Sequence, residues 1–149
     1  MSKALGAVLA AALSLVSVTT ASPASAAPRE TGPRPVTQLL PTVQPNRPQG
    51  ITVRWKTDRR VCDVKIRVWG NRNVRVSYPG RRDFVTFAEG DDLRPGRTDT
   101  TVFRVTAGFD RPVWAILAAT ITYDHCGRNA PTLTKNTGLL LPVAGRTSR

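Results

Sequence analysis

The sequence predicts an all-β protein, a single sandwich of about seven short strands closed by one disulfide. Three observations lead to this prediction. From Gly50 onwards, apolar and polar residues alternate with a period of two, as in strands that bury one face. Turn-forming residues separate the alternating runs, among them Gly70-Asn71, Pro79-Gly80 and Pro95-Gly96. These segments show no helical periodicity.

Each alternating run predicts which side chains of a strand point inward. The inward sets are Ile51, Val53 and Trp55; Cys62, Val64, Ile66 and Val68; Val74, Val76 and Tyr78; Thr101, Phe103 and Val105; and Leu117, Ala119, Ile121 and Tyr123. A last strand is predicted over 133–143. A strand over 36–40 is predicted along a sheet edge, and the strand over 73–78 is expected to continue through 84–88.

The order of these strands predicts an Ig-like or fibronectin-III-like sandwich. In a fibronectin-III-type arrangement, the strands over 62–69 and 114–124 are antiparallel neighbours, so Cys62 lies close to Cys126. These are the two cysteines of the chain, and we expect a disulfide within one sheet. The closed loop of about 65 residues would stabilise the fold by about 4 kcal/mol. Because the chain has a single histidine, His125, we expect no metal site and no cofactor.

The N-terminus predicts a secretory signal peptide over 1–26. A short positive segment ending at Lys3 precedes an apolar run from Ala4 to Val18, and Ala24-Ser25-Ala26 supplies the small residues of a cleavage site. The apolar run is shorter than the roughly 20 residues that cross a bilayer. We therefore expect Sec-type export, cleavage after Ala26, and an extracellular protein that does not span a membrane after processing.

Three further segments follow the predicted signal. The segment 27–49 contains six of the twelve prolines and few apolar residues, which predicts an extended, Pro-rich leader or tether. The sandwich is predicted over 50–145, and a short tail covers 146–149.

Several motifs resemble those of known secreted proteins. The run 92–107, which begins Asp-Leu-Arg-Pro-Gly, and the following strand up to Tyr123 resemble bacterial Ig-like accessory domains. Such domains include the CARDB type and those appended to secreted glycosidases. The Cys-Asp-Val strand at 62–64, the Tyr-Pro-Gly turn at 78–80 and the segment 122–127 resemble small secreted actinobacterial proteins.

This resemblance covers roughly residues 50–143. It implies an Ig-like fold and an extracellular location. It implies no activity and transfers no catalytic residue to this chain.

Residue patterns typical of enzyme sites are weak, so we expect no catalysis. The lone His125 lies beside Cys126, and an oxidised cysteine cannot act as a nucleophile. The chain has no Gly-x-Ser-x-Gly motif. Asp91-Asp92 follow Gly90, a composition typical of a turn rather than of a catalytic carboxylate pair.

The charge of the chain suggests a class of partner. The chain has 22 Lys and Arg against 10 Asp and Glu, a net charge of +12, and removal of Lys3 with the signal leaves +11. Six cations occupy predicted outward strand positions: Arg54, Lys56, Lys65, Arg67, Arg75 and Arg104. We expect these residues to bind an anionic cell-surface polymer, such as a wall polymer or acidic polysaccharide, or DNA without sequence recognition. The alternative is a solvated surface that protects strand edges.

Two tryptophans suggest another class of ligand. Trp69 is predicted to point outward and Trp114 to open a strand, whereas Trp55 is predicted to lie in the core. Exposed aromatic rings can stack on sugars, so one alternative function is carbohydrate binding through Trp69 and Trp114. A third alternative is a structural or protein-binding Ig-like domain that contacts another chain through a sheet edge.

Overall fold

Two antiparallel sheets pack against each other in the structure, a computed structural model that describes residues 31–145. The strands of this part of the chain are β1 Arg34–Pro35, β2 Gln49–Lys56, β3 Val61–Trp69, β4 Val74–Ser77, β5 Thr98–Ala107, β6 Val113–His125 and β7 Thr132–Val143. One sheet has the order β1-β2-β5-β4 and the other β3-β6-β7. This four-plus-three division is that of immunoglobulin constant-type domains, so the predicted Ig-like sandwich is confirmed.

Some of the sequence predictions fall outside this range. The predicted signal peptide over 1–26, its cleavage site after Ala26 and the tail over 146–149 are not among the described residues. Within residues 31–145, no helix is long and apolar enough to cross a membrane.

The core lies between the two sheets and consists largely of the side chains that alternation predicts to point inward. Trp55, Phe103 and Leu117 are fully buried. The Trp55 indole Nε1 donates a hydrogen bond of 2.9 Å to Thr101 Oγ1, so these two polar atoms satisfy each other inside the apolar layer. The side-chain alternation of the sequence therefore locates the core correctly.

Strand β3 departs from the predicted alternation at Asp63. This residue has a φ of 52°, and the register between β3 and β6 shifts between Cys62 and Lys65. Such a β-bulge inserts one extra residue and reverses the inward parity on either side of it. Val61 and Val64 are consequently both buried, whereas Cys62, which the alternation places inward, is only half-buried.

The predicted disulfide between Cys62 and Cys126 is confirmed. Their Cα atoms are 5.2 Å apart. Cys62 pairs in register with Asp124 on β6, two residues before Cys126. The disulfide therefore joins neighbouring strands of the three-stranded sheet.

The chain after β4 covers the outer edge of β3. β4 itself pairs with β5, and the segment 84–88 does not form a regular continuation of β4. Val85 bonds to Ile66 of the other sheet, and the Ala88 N then donates a 2.8 Å hydrogen bond to the Thr100 oxygen of β5. Val85 and Ile66 exchange two backbone hydrogen bonds of 2.9 and 2.8 Å, and Leu93 and Val61 exchange two of 3.0 Å. These bonds occupy backbone groups that would otherwise be available to a strand of another chain.

The described part of the Pro-rich leader differs from the predicted tether because it packs onto the sandwich. It begins at the edge of the four-stranded sheet as β1, and its predicted edge segment 36–40 then leads to the edge of β7. The backbone N of Val43 donates a 2.9 Å hydrogen bond to the Pro142 oxygen. Leu40 and Val43 are 4% and 1% exposed and belong to the core.

A second contact anchors the start of this leader. The backbone N of Gly32 donates a 2.8 Å hydrogen bond to Asp58 Oδ1, and this bond lowers the pKa of the Asp58 carboxyl. Gly32 has a φ of 87°, and a Cβ at this position would lie 2.3 Å from the Tyr123 hydroxyl oxygen. Only glycine fits here without a shift of its surroundings.

Candidate functional site

The outer face of the four-stranded sheet gathers four of the six predicted cations. Arg54, Lys56, Arg75 and Arg104 occupy exposed, outward positions of β2, β4 and β5. Arg34 of β1 pairs with Lys56 and therefore lies on the same face. We call these five residues the basic face. Sequence reasoning missed Arg34 because a strand of two residues shows no alternation.

The cations of the basic face form two groups at opposite ends of the sheet. Arg54 and Lys56 are two residues apart on β2, and therefore about 7 Å apart along the strand. Arg104 pairs with Ser77, two residues from Arg75, which makes Arg104 and Arg75 the second group. Arg104 also pairs with Gly50, which lies four residues before Arg54 on β2. The two groups are therefore about 14 Å apart along the strand direction.

The outward strand positions that form the basic face carry no acidic side chain. In the described chain, no Asp or Glu occupies an outward position of β1, β2, β4 or β5. Asp99 of β5 points inward, and its carboxylate accepts hydrogen bonds from the backbone N of Glu89 and of Thr100, at 3.2 and 2.6 Å. Asp92 forms ion pairs with Arg60 and Arg94, and Asp83 forms one with Arg67. The loop carboxylate of Asp58 lies near Arg34, and the Gly32 hydrogen bond together with the charge of Arg34 lowers the pKa of Asp58.

A hollow of about 760 Å³ opens on the basic face beside Arg104. Gly50 lies opposite Arg104 and contributes no side chain, and a Cβ added there would meet nothing within 4 Å. Pro48 and the turn Pro79-Gly80 form parts of the wall. The Arg104 guanidinium therefore has free space next to it for an anionic group.

Tyr78 holds the wall of this hollow against the other sheet. Its hydroxyl accepts a 2.6 Å hydrogen bond from the Val68 N and donates one of 2.5 Å to the Val68 oxygen. Partial burial raises the pKa of the Tyr78 phenol above its ordinary value. The neutral hydroxyl is therefore the form that joins the turn after β4 to β3.

Lys65 and Arg67 lie on the other sheet and do not belong to the basic face. They line a groove of about 230 Å³ together with Trp69, Phe84, Thr120 and Thr122. Lys65 Nζ and Arg82 Cζ each lie 5.8 Å from the centroid of the Phe84 ring, close enough for cation–π attraction. Arg67 is already ion-paired with Asp83, so Lys65 is the better placed of the two for a ligand anion.

Exposed apolar side chains form a continuous patch on the outer face of the three-stranded sheet. Ile116 pairs with Leu140, which bridges to Leu39, and Trp69 and Trp114 border this row on either side. We call these five residues the apolar face. Their exposed fractions are 67% for Trp114, 65% for Ile116, 51% for Leu39, 45% for Trp69 and 40% for Leu140.

The two tryptophans of the predicted sugar platform are both exposed but are not adjacent. Trp69 pairs with Ala118, four residues beyond Trp114 on β6, so their strand positions are about 14 Å apart. Trp69 borders the groove, whereas Trp114 lies at the far end of the apolar face. Sequence reasoning missed Ile116, although the alternation that turns Leu117 inward also turns Ile116 outward.

Comparison with protein-family models and with curated proteins gives no match for this chain. Among solved structures, it is similar to AvmM, which catalyses macrocyclization in alchivemycin A biosynthesis. The TM-score is 0.42 and the sequence identity 11%, and the likeness covers 72% of this chain and 86% of that chain. It is also similar to the ASH/PapD-like domain 7 of human CEP192. The TM-score is 0.41 and the sequence identity 11%, and the likeness covers 90% of this chain and 99% of that chain. At these values neither likeness carries an argument about activity, and the resemblance to secreted actinobacterial proteins stays a prediction.

Proposed function

We propose that this protein is a secreted, non-catalytic binding module that holds an anionic polymer against its basic face. The observation that carries this proposal is the segregation of charge. Five cations and no carboxylate point outward from one sheet of the described chain. The predicted signal peptide and the disulfide support an extracellular location.

The spacing of the cations favours a polymer over a small anion. The two groups of the basic face are about 14 Å apart, so a small anion reaches one group, while a chain of anionic units contacts both. Each guanidinium can donate two parallel hydrogen bonds to a phosphate or carboxylate. The hollow beside Arg104 leaves room for one such unit at the end of the face.

Salt-dependent binding tests this function. The chain without residues 1–26 would be titrated with poly(glycerol phosphate), with polygalacturonate and with neutral dextran. If about four contacts form, affinity for the anionic polymers falls on the order of a hundredfold between about 50 and 200 mM salt, because binding releases counterions. Neutral dextran is expected not to bind at either salt concentration.

A pair of variants with equal net charge separates a site from a general charge effect. The first variant replaces four basic-face residues with Gln: Arg54, Lys56, Arg75 and Arg104. The control replaces four exposed loop arginines with Gln: Arg59, Arg72, Arg81 and Arg128. We expect binding to be lost in the first and largely kept in the control. Equal losses in both variants would show that only net charge matters, and would contradict the proposed site.

The groove beside Trp69 favours a second function, the recognition of a single acidic sugar unit. Its volume of about 230 Å³ is below the roughly 300 Å³ at which sites for drug-sized ligands begin, so it suits one ring. Trp69 and Phe84 supply aromatic surface, and Thr122 supplies a hydroxyl. The Lys65 ammonium supplies the positive charge that a sugar carboxylate requires.

Oligogalacturonate and its uncharged methyl ester distinguish this groove from the basic face. We expect Trp69→Ala to weaken binding of the acid about tenfold, through loss of aromatic contact. The ester is expected to bind at least about ten times more weakly than the acid, because a hydrogen bond to a charged group contributes about 1.5 to 3 kcal/mol. Trp114→Ala serves as the control with unchanged affinity. If Trp69→Ala binds like the wild type in calorimetry, the groove is not the site.

A further inference from the structure

The apolar face is large enough to form a specific interface. From their exposed fractions, its five side chains present roughly 500 Å² of apolar surface, since one large aromatic side chain alone accounts for 150 to 250 Å² when fully buried. This size lies within the range of about 300 to 600 Å² for the largest apolar patch of a soluble monomer, and such a patch is often functional. Two such faces in contact would bury about 1,000 Å² in total, the size at which specific protein interfaces begin.

The shape of this face suits a second copy of itself. Ala118 and Gly138 pair with each other next to the row of Ile116 and Leu140, so small residues lie beside large ones. A Cβ added at Gly138 would meet only the Ile116 Cγ2 atom, at 3.9 Å, which shows that the surface is low there. In a two-fold symmetric contact, bulky side chains of each copy fit the low surface of the other.

The distribution of charge permits this contact despite the net positive charge. Three rows of paired residues cross this face in the described chain, and none of their residues is charged. The rows are Trp114 with Pro142, Ile116 with Leu140, and Ala118 with Trp69 and Gly138. The basic face lies on the opposite sheet. If the two three-stranded sheets pack together, the dimer contains four stacked sheets, and neighbouring sheets are about 10 Å apart. The two outermost sheets carry the basic faces, which are therefore about 30 Å apart. This distance exceeds the Debye length of about 8 Å at physiological salt, so their repulsion is screened.

We propose that the apolar face is a self-association surface, through which two copies of this chain pack their three-stranded sheets together as a symmetric dimer. We assign the partner as a second copy for three reasons. The apolar face is uncharged, its large and small residues can fit those of a second copy, and two such faces together bury the area at which specific protein interfaces begin. In the dimer the two basic faces point away from each other, and Trp69 is covered, so a sugar in the groove at Trp69 would compete with dimer formation.

Molar mass measured against concentration tests this inference. Light scattering and sedimentation of the chain without residues 1–26, at physiological salt, are expected to show a dimer that dissociates on dilution. Ile116→Lys is expected to be monomeric throughout, because it would bury a charge in the contact. Val102→Lys is the matched control, since Val102 is also an exposed apolar strand residue, 46% exposed, but on the opposite sheet; it should dimerise like the wild type.

Two further steps keep the test decisive. Circular dichroism establishes that each variant is folded, and Trp114→Lys replaces Ile116→Lys if that variant does not fold. A wild-type protein that is monomeric up to its solubility limit would overturn the inference, and would leave the face to a different partner. A dimer that persists in a folded Ile116→Lys variant, or in the folded Trp114→Lys variant that replaces it, would also overturn the inference. Neither result bears on polymer binding, which is measured with basic-face variants.

Discussion

Single hydrogen-bonded side chains decide how the loops attach to the two sheets. Tyr78 links the turn after β4 to the backbone of Val68 in β3 through two hydrogen bonds. Asp58 attaches Gly32 at the start of the described leader in a similar way. Each contact connects a loop segment to a strand or to the end of a strand. Removing either one affects a loop before it affects the core.

Tyr78→Phe is expected to destabilise the protein by about 1 to 3 kcal/mol, because it leaves the Val68 backbone groups without their partner in a half-buried position. Urea unfolding at neutral pH measures this loss. Tyr123→Phe is the control. If the two substitutions have the same small effect, the Tyr78 hydrogen bonds contribute nothing to stability.

The same tyrosine predicts a pH dependence of stability. Because burial raises its folded pKa, the stabilising neutral form is fully present below the ordinary phenol pKa of about 10. Its contribution is lost as the pH rises through the higher folded value. Unfolding curves at neutral and alkaline pH should therefore show a smaller alkaline decrease in Tyr78→Phe than in the wild type.

Irregular segments complete the sandwich where the strands leave edges open. The leader over 31–49 bonds to the edges of both sheets and adds Leu40 and Val43 to the core. The segment between β4 and β5 covers the edge of β3 through Val85 and Leu93. Covered edges make pairing with a foreign strand less favourable. Binding through the edge of β3 or β7, one form of the sheet-edge alternative that the sequence suggested, is therefore less favoured by the structure, whereas β4 is an edge strand of the four-stranded sheet.

The leader offers a matched pair of substitutions. Val43 is 1% exposed and Val36 is 41% exposed, although both lie on the same segment. Val43→Ala is expected to reduce the free energy of unfolding by about 2 kcal/mol, through lost burial and the cavity left behind. Val36→Ala is expected to change it by less than about 0.5 kcal/mol. Equal effects in chemical denaturation would show that the leader is not part of the cooperative fold.

The whole molecule has two chemically different faces on one disulfide-closed framework. The disulfide closes a loop over 64 residues of sequence separation, and contributes about 4 kcal/mol in the chain-entropy model. One outer face is basic and free of carboxylates, while the other combines an apolar patch with the groove at Trp69. A dimer formed through the apolar face would present its two basic faces on opposite sides, so that each face would hold a separate segment of polymer.

Much of the fold follows from local pattern. The alternation over 51–55 and 101–105 predicts buried side chains correctly, because a strand turns successive residues to opposite faces wherever it lies. The cysteine pairing follows from strand order. The bulge at Asp63 does not, since a bulge is a feature of the register between two strands, here β3 and β6, and it changes the parity of Cys62.

The amino-acid sequence was sufficient to determine the all-β class, most of the inward side chains, the disulfide and the excess of positive charge, because each depends on residue type or on the order of residues and strands along the chain. Only the tertiary structure decided which outward residues share a face. It joined Arg34 to Lys56, separated Lys65 from Arg54, and brought Leu39 next to Leu140. The physical reason is that a face is assembled across strands, and strand pairing connects residues that are distant in sequence.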